Sequence, residues 1–174
     1  MEIEWLSNTF NVRKLGVEDV ERIYDVCCKN KIFYQFHPPL VTRKSILEDM
    51  HALPPGKDYN DKFYIGFFEK KTLVAIMDLI LDYPEQGIAY IGLFMMNLGY
   101  QNKGIGSDII KGCSIYLKKI GCRKIRIGVD RNNPQSNAFW KKNGFMTTEE
   151  NEYILMELVL EILISGGIMY AARM

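Results

Sequence analysis

The stretch from Ile91 to Gly121 constrains the fold more than any other. It reads as a strand, Ile91-Gly92-Leu93-Phe94-Met95-Met96, then a turn carrying Gly104 and Gly106, then a helix. Apolar residues at Ile109, Cys113, Tyr116 and Ile120 recur at spacings of four, three and four, which lays them on one helical face. Gly121 stands where a left-handed C-terminal cap is wanted, and Lys118 and Lys119 bring positive charge to the negative end of the helix. A strand that runs directly into a helix returns by a crossover, so the next strand, Lys124–Val129, is predicted to lie parallel to it.

The turn ahead of the helix carries chemistry. Gly104 and Gly106 permit positive φ and leave room for a ligand to approach the backbone. The amides of Asn102, Lys103, Gly104, Ile105, Gly106 and Ser107 can then converge on one concavity at a helix N-terminus, where oriented N–H groups and the helix dipole bind anions. Gln101 adds a side-chain donor and Lys103 a positive charge, so the turn reads as a pyrophosphate-binding element. It is not a P-loop, because no Gly-Lys-Ser/Thr follows. Nor is it a dinucleotide fingerprint, since Ile109 occupies the third glycine position.

The rest of the chain gives a mixed α/β order without repeats. A first strand is predicted over Phe10–Leu15 and an amphipathic helix over Val17–Lys29, with Val20, Ile23, Tyr24 and Cys27 on one face. An aromatic, proline-stopped segment follows, Asn30 to Pro39. Thr42 is placed to cap a second helix, Arg43–Ala52. Strands over Lys62–Glu69, Leu73–Leu81 and Ile88–Met96, joined by short turns, favour an antiparallel meander. After Val129 a loop leads to a short helix with Asn133 as N-cap and Pro134 at its first position, ending at Gly144. Tyr153–Leu160 makes the last strand. The chain therefore reads as one domain over residues 1–160 with a tail of unassigned role, 161–174.

Composition narrows the function classes. A chain of 174 residues with a net charge of +1 carries no nucleic-acid footprint, and no run of Lys or Arg exceeds two. No apolar run approaches the roughly 18 residues of a membrane span, and the acidic start, Met1-Glu2-Ile3-Glu4, is unlike a secretory signal. Cys27, Cys28, Cys113 and Cys122 show neither metal spacing nor a redox pair; they read as small buried residues in a reducing, cytoplasmic setting, with no metal expected.

Two blocks together carry a resemblance. The first is Gln101-Asn102-Lys103-Gly104-Ile105-Gly106. The second is Asn133-Pro134-Gln135-Ser136-Asn137-Ala138-Phe139-Trp140-Lys141-Lys142-Asn143-Gly144-Phe145, behind a strand and roughly thirty residues further on. In that order and context they resemble the two signatures of the GCN5-related N-acetyltransferase (GNAT) family, over about Ile88–Phe145. The resemblance implies a mixed, mostly antiparallel sheet with flanking helices, splayed where coenzyme A binds. It implies transfer of an acetyl group from acetyl-coenzyme A to the primary amine of a small molecule or peptide. Cofactor contacts are then expected from Phe94, Met95 and Met96, from the turn Gln101–Ser107, and from Asn133, Ser136, Phe139 and Trp140. The Met96 backbone would serve the thioester oxygen, where a fixed N–H counts for more in the transition state than in the ground state. The first two helices and their connections would wall the acceptor site, with Phe33, Tyr34, Phe36 and His37 either shaping it or capping the core. A homodimer is plausible for such an enzyme.

The acid and base stay open. Stripping a proton from a lysine-like ammonium at neutral pH costs about 4 kcal/mol, whereas an α-amine needs little help. Asp78, in an otherwise uncharged strand, and Glu85, in the adjoining turn, are the carboxylates nearest the expected pocket; Asp78 could equally sit on an exposed face. Many relatives carry a tyrosine, often credited with protonating the departing thiolate, where this chain has Trp140, whose indole cannot do so. Tyr100, Tyr116 or water could act, or no acid at all, since a thiol of pKa about 8.5 leaves tolerably as thiolate. The same substitution leaves a non-catalytic acyl-coenzyme A sensor open as an alternative, and a nucleotide-phosphate binder as a third.

Overall fold

The structure is a computed structural model that describes residues 1–160; the expected tail, 161–174, lies outside the described residues. Its centre is a seven-stranded sheet in the order β1-β2-β3-β4-β5-β7-β6. The strands are β1 (Asn11–Lys14), β2 (Lys62–Glu69), β3 (Thr72–Leu81), β4 (Ile88–Met96), β5 (Lys124–Asp130), β6 (Met146–Glu150) and β7 (Tyr153–Val159). Every pairing is antiparallel except β4 with β5, the pair that the crossover demands. The helices are α1 (Val20–Cys27), α2 (Lys31–Phe36), α3 (Arg43–His51), α4 (Ile105–Lys119) and α5 (Pro134–Lys142).

Strand alternation splits the core over the two faces of the sheet. Ala75, Met77 and Leu79 pack with Ile109, Cys113 and Leu117 of α4. Leu73, Ile76 and Met95 pack with Ile23 and Cys27 of α1 and Ile46 of α3. The expected caps are in place. Thr42 Oγ1 accepts from the Ser45 amide at 3.0 Å, and Asn133 Oδ1 accepts from the Ser136 amide at 3.0 Å. Gly121, at φ +98°, closes α4 through the amide of Cys122 to the carbonyl of Leu117 at 3.0 Å.

Three elements differ from expectation. The aromatic segment after α1 contains a helix of six residues, α2, too short for periodicity to reveal and stopped by Pro38 and Pro39. Residues Met146–Glu150 form an edge strand, β6, exposed throughout, so they carry no alternation to read. The helix predicted from Val17 begins as a tight turn, Val17–Asp19, and becomes α-helical at Val20.

That tight turn holds a buried charge. The Asp19 carboxylate accepts two bonds of 2.7 Å from the Arg13 guanidinium, one of 3.1 Å from Arg22 and one of 3.2 Å from the Gly16 amide. The Arg13 hydrogen bonds outweigh desolvation and hold the carboxyl below its usual range. Asp19→Asn is expected to cost about 2 kcal/mol by removing the charge from the acceptor of the Arg13 and Arg22 hydrogen bonds. Because the folded pKa is depressed, the unfolded chain takes up the proton first. The contribution of Asp19 is complete above the ordinary carboxylate range and is lost as pH falls through the folded value. Urea melts of wild type and variant should converge at acid pH; a constant gap would refute the linkage.

The sheet opens at one point. β4 pairs with β5 only from Ile88 to Ile91, against Lys124 to Ile127. On its other edge β4 has a bulge, with Asp78 opposite Leu93 and Leu79 opposite Ile91, so Gly92 is the extra residue. The bulge re-aims the second half of β4, and Gly92 to Met96 lose their partner on the β5 side. A Cβ on Gly92 would lie 3.0 Å from Asp78 Oδ2, so glycine is what lets that carboxylate occupy the bulge.

Candidate active site

The cleft between β4 and β5 leads to the N-terminus of α4. Gly104 takes φ +81° and Asn102 φ +58°, a left-handed pair of positions that curls the chain into the helix. The first backbone bond of the helix runs from the Asp108 amide to the Gly104 carbonyl. The six preceding amides, Asn102 to Ser107, make no hydrogen bond among the described residues. Asn102, Gly104, Gly106 and Ser107 border a cavity of about 500 Å³ whose other walls include Phe94, Met96, Ser136, Phe139 and Trp140. Gly106 keeps that wall tight, since a Cβ there would sit 3.1 Å from the Phe139 ring.

The open edge of β4 adds directed groups. The Asn97 amide donates to Val74 at 2.8 Å, and the register alternates back from there along β4. The N–H groups of Met95 and Leu93 therefore face β3, while those of Phe94 and Met96 face the cleft. Met95 also lines the first cavity, although its N–H faces β3 and its side chain packs with α1 and α3. The Met96 carbonyl, on the cleft side, accepts from Asn30 Nδ2 at 3.0 Å and Gln101 Nε2 at 3.2 Å.

A second cavity, of about 350 Å³, opens on the α2–α3 side and shares Phe33, Phe94, Ser136 and Trp140 with the first. The two chambers meet beside the parted strands. Trp140 is 2% exposed and packs edge-on against Phe94, Phe139 and Phe145, with ring centroids 4.8 to 5.9 Å apart. Tyr34, His37, Asp49 and Asp78 line the second chamber. Phe33, Tyr34 and His37 thus shape it, as one of the two sequence expectations had it, while Phe36 borders neither cavity.

Asp78 does not sit on an exposed face. Its side chain is 13% exposed and its Oδ2 accepts from Lys62 Nζ, itself 3% exposed, at 2.7 Å; Oδ1 is buried without a partner. Desolvation, only partly offset by Lys62, pushes its pKa up. Asp49, on α3, is raised by desolvation too, against the pull of Lys62 and His37.

Other expected residues are placed differently. Glu85 lies in the turn before β4, at the end of the strand away from the helix turn, and borders neither chamber. Gln101 lines the first chamber beside the cup, with its Nε2 also 2.7 Å from Asn30 Oδ1. Lys103 Nζ folds back on the Gly99 carbonyl at 2.6 Å, and the Ile105 side chain packs on the core. Asn133 lines the first chamber but spends its carbonyl oxygen on capping α5. Of the alternative acids, Tyr116 Oη accepts from the Glu2 amide away from both chambers, whereas Tyr100 lines the first chamber with its Oη donating to Glu69 at 2.7 Å. Sequence reasoning missed Asn30, whose one amide ties α1, β4 and Gln101 together, and Asp49. Neither belongs to a motif. Among the described residues, no group of three His, Cys, Asp or Glu is placed to hold a metal ion, and no helix is long and apolar enough to cross a membrane.

Known proteins share this fold. Residues 22–145 match the acetyltransferase (GNAT) family. A spermidine N(1)-acetyltransferase of Thermoplasma acidophilum is 22% identical over 157 residues, covering 84% of this chain and 96% of the relative. Among solved structures, an acetyltransferase from Thermus thermophilus superposes with a TM-score of 0.75 at 20% identity, over 87% of this chain and 97% of that one. The PaiA N-acetyltransferase of Thermoplasma acidophilum, solved in complex with coenzyme A, gives a TM-score of 0.66 at 23% identity, over 86% and 98%. With its mixed sheet, its parted parallel strands and the cup of free amides ahead of α4, this chain belongs to the GNAT family of acetyltransferases.

Proposed function

We propose that the protein transfers an acetyl group from acetyl-coenzyme A directly to a primary amine held in the second chamber. The observation that carries this reading is the run of unpartnered amides, Asn102 to Ser107, of which Asn102, Gly104, Gly106 and Ser107 border a chamber that meets a second one where β4 and β5 part. Acetyl-coenzyme A supplies an acyl carbon activated as a thioester. The amide cup holds the pyrophosphate, since a helix N-terminus with its N–H groups free is built for anions. The cleft-side edge of β4 holds the pantetheine arm as an added strand would be held. An N–H of Phe94 or Met96 receives the charge that develops on the thioester oxygen, an interaction that strengthens as the amine attacks.

Asp78 takes the proton that the ammonium must lose. Its raised pKa suits it to that exchange, and Lys62 fixes its orientation through the other oxygen. The thiolate leaves without a protein acid, consistent with Trp140 in the wall, with the Tyr100 hydroxyl donated to Glu69 and with Tyr116 away from both chambers. The relative named for spermidine acetylation supports an aliphatic amine as acceptor.

The test is thiol release from acetyl-coenzyme A across a panel of amines, with mass detection of the acetylated product. Amine-dependent release is expected. Tight coenzyme A binding with no release under any amine would replace the enzyme with a sensor of the same fold, and displacement of coenzyme A by ATP at equal concentration would favour a nucleotide binder.

A further inference from the structure

Asn30 joins α1 to α2 and is 9% exposed. One hydrogen of its Nδ2 goes to the Val26 carbonyl at 2.8 Å, a contact that a helix end invites. The other two bonds of the amide reach 66 and 71 residues along the chain. Nδ2 donates to the Met96 carbonyl at 3.0 Å, and Oδ1 accepts from Gln101 Nε2 at 2.7 Å. Gln101 Nε2, held in this way, also donates to the Met96 carbonyl, at 3.2 Å. The end of α1 requires neither contact.

Their effect falls on the open edge of β4. Beyond Ile91 that strand pairs with β3 alone, and its cleft side presents the N–H and C=O of Phe94 and of Met96. A carbonyl oxygen has two lone pairs, and at Met96 two donors already take them. The Met96 N–H and both groups of Phe94 face the first chamber with no strand beside them. Met96 ends β4 and leads into the turn that carries the amide cup. An extended arm leaving the cup therefore meets the filled carbonyl first.

We propose that Asn30 is a positioning residue for the acyl donor: by filling the Met96 carbonyl it closes the free edge of β4 at the cup end and fixes the register in which the pantetheine arm pairs. The proposal rests on the acetyl-coenzyme A reading for the identity of that arm. With the carbonyl closed, the arm's carbonyls find N–H partners on Met96 and Phe94, and its N–H groups find one acceptor, the Phe94 carbonyl. With the carbonyl open, a second acceptor stands one repeat nearer the cup. Same-side groups on a strand recur every second residue, about 6–7 Å apart. A slip of that size carries the thioester away from the amine, and a misplacement of about 1 Å already costs on the order of a hundredfold in rate.

The experiment separates binding from rate in Asn30→Ala. Coenzyme A affinity, by calorimetry, is expected to stay within about threefold of wild type, because a slipped arm still finds hydrogen-bond partners. At saturating acetyl-coenzyme A, kcat for thiol release with the fastest amine of the panel is expected to fall about 100-fold. Gln101→Leu removes the second donor, leaves the Asn30 contact with α1 in place, and should show a smaller version of the same split. An asparagine that only supports the fold would give the reverse pattern, weaker coenzyme A binding with kcat recovered at saturation, and that pattern would overturn the proposal. So would an unchanged kcat in both variants. A crystal structure of the wild type with coenzyme A requires no variant: Asn30 Nδ2 should remain on the Met96 carbonyl, and an arm nitrogen in its place would overturn the proposal. An arm bound in the expected register with no amine acetylated would leave the positioning standing and remove the acetyl-transfer reading.

Discussion

Gly104→Glu is expected to abolish measurable coenzyme A binding while leaving the fold intact. Nothing lies within 4 Å of where a Cβ on Gly104 would sit, so the new side chain meets no wall. The cost to folding is the left-handed φ of +81°, about 1–2 kcal/mol for a residue with a Cβ. The cost to binding is larger. The carboxylate would stand at the rim of the cup made by the amides of Asn102 to Ser107, where the pyrophosphate is placed. At about 4 Å and an effective dielectric near 20, one like-charge pair costs roughly 4 kcal/mol, close to a thousandfold in affinity. Gly104→Ala separates the two effects, since it carries the strain without the charge and should weaken binding far less. Calorimetric titration with coenzyme A beside a thermal melt reads both quantities. Retained affinity in Gly104→Glu would move the phosphates out of the cup.

How much of this was legible beforehand depended on whether function used the backbone or the side chains. The cup could be read because its requirement is conformational: two glycines two apart, between a strand and a helix, leave few other uses. The parallel pairing of β4 with β5 followed from the direct strand-to-helix order, and their parting was implied only by the family resemblance; the bulge at Gly92 that separates them had no sign beyond the glycine itself. The hydrogen-bond partners of Gln101 and Lys103 could not be read for the opposite reason. Both are long polar side chains, and their nearest acceptors, on Asn30, Met96 and Gly99, are set by packing that no local pattern encodes. Glu85 looked close to the site only because sequence distance ignores that a nine-residue strand carries it to the far end of the sheet. Asp49 was invisible for a similar reason, being an acid on a mostly polar helix whose inward face is decided by where α3 lies over β2 and β3.

Asp78→Asn is expected to lower kcat/KM for amine acetylation by about 10²–10⁴-fold, the usual range for a positioned proton acceptor, with coenzyme A affinity unchanged. Asparagine keeps the shape and can still accept from Lys62, yet it cannot take a proton from an ammonium. Removing the carboxylate also strips the buried Lys62 of its counter-charge, at about 3 kcal/mol of stability, so loss of activity alone would not distinguish chemistry from folding. The pH profile does. With Asp78 as acceptor, kcat/KM rises on the acid side as that carboxyl ionises, and burial places the rise above the ordinary carboxylate range. Lys62 pulls the same pKa down, so Lys62→Met should move the rise to higher pH while keeping its shape. Asp78→Asn should erase it. A purely structural ion pair would lower the whole profile in both variants and shift neither, and that outcome would take the proton transfer away from Asp78.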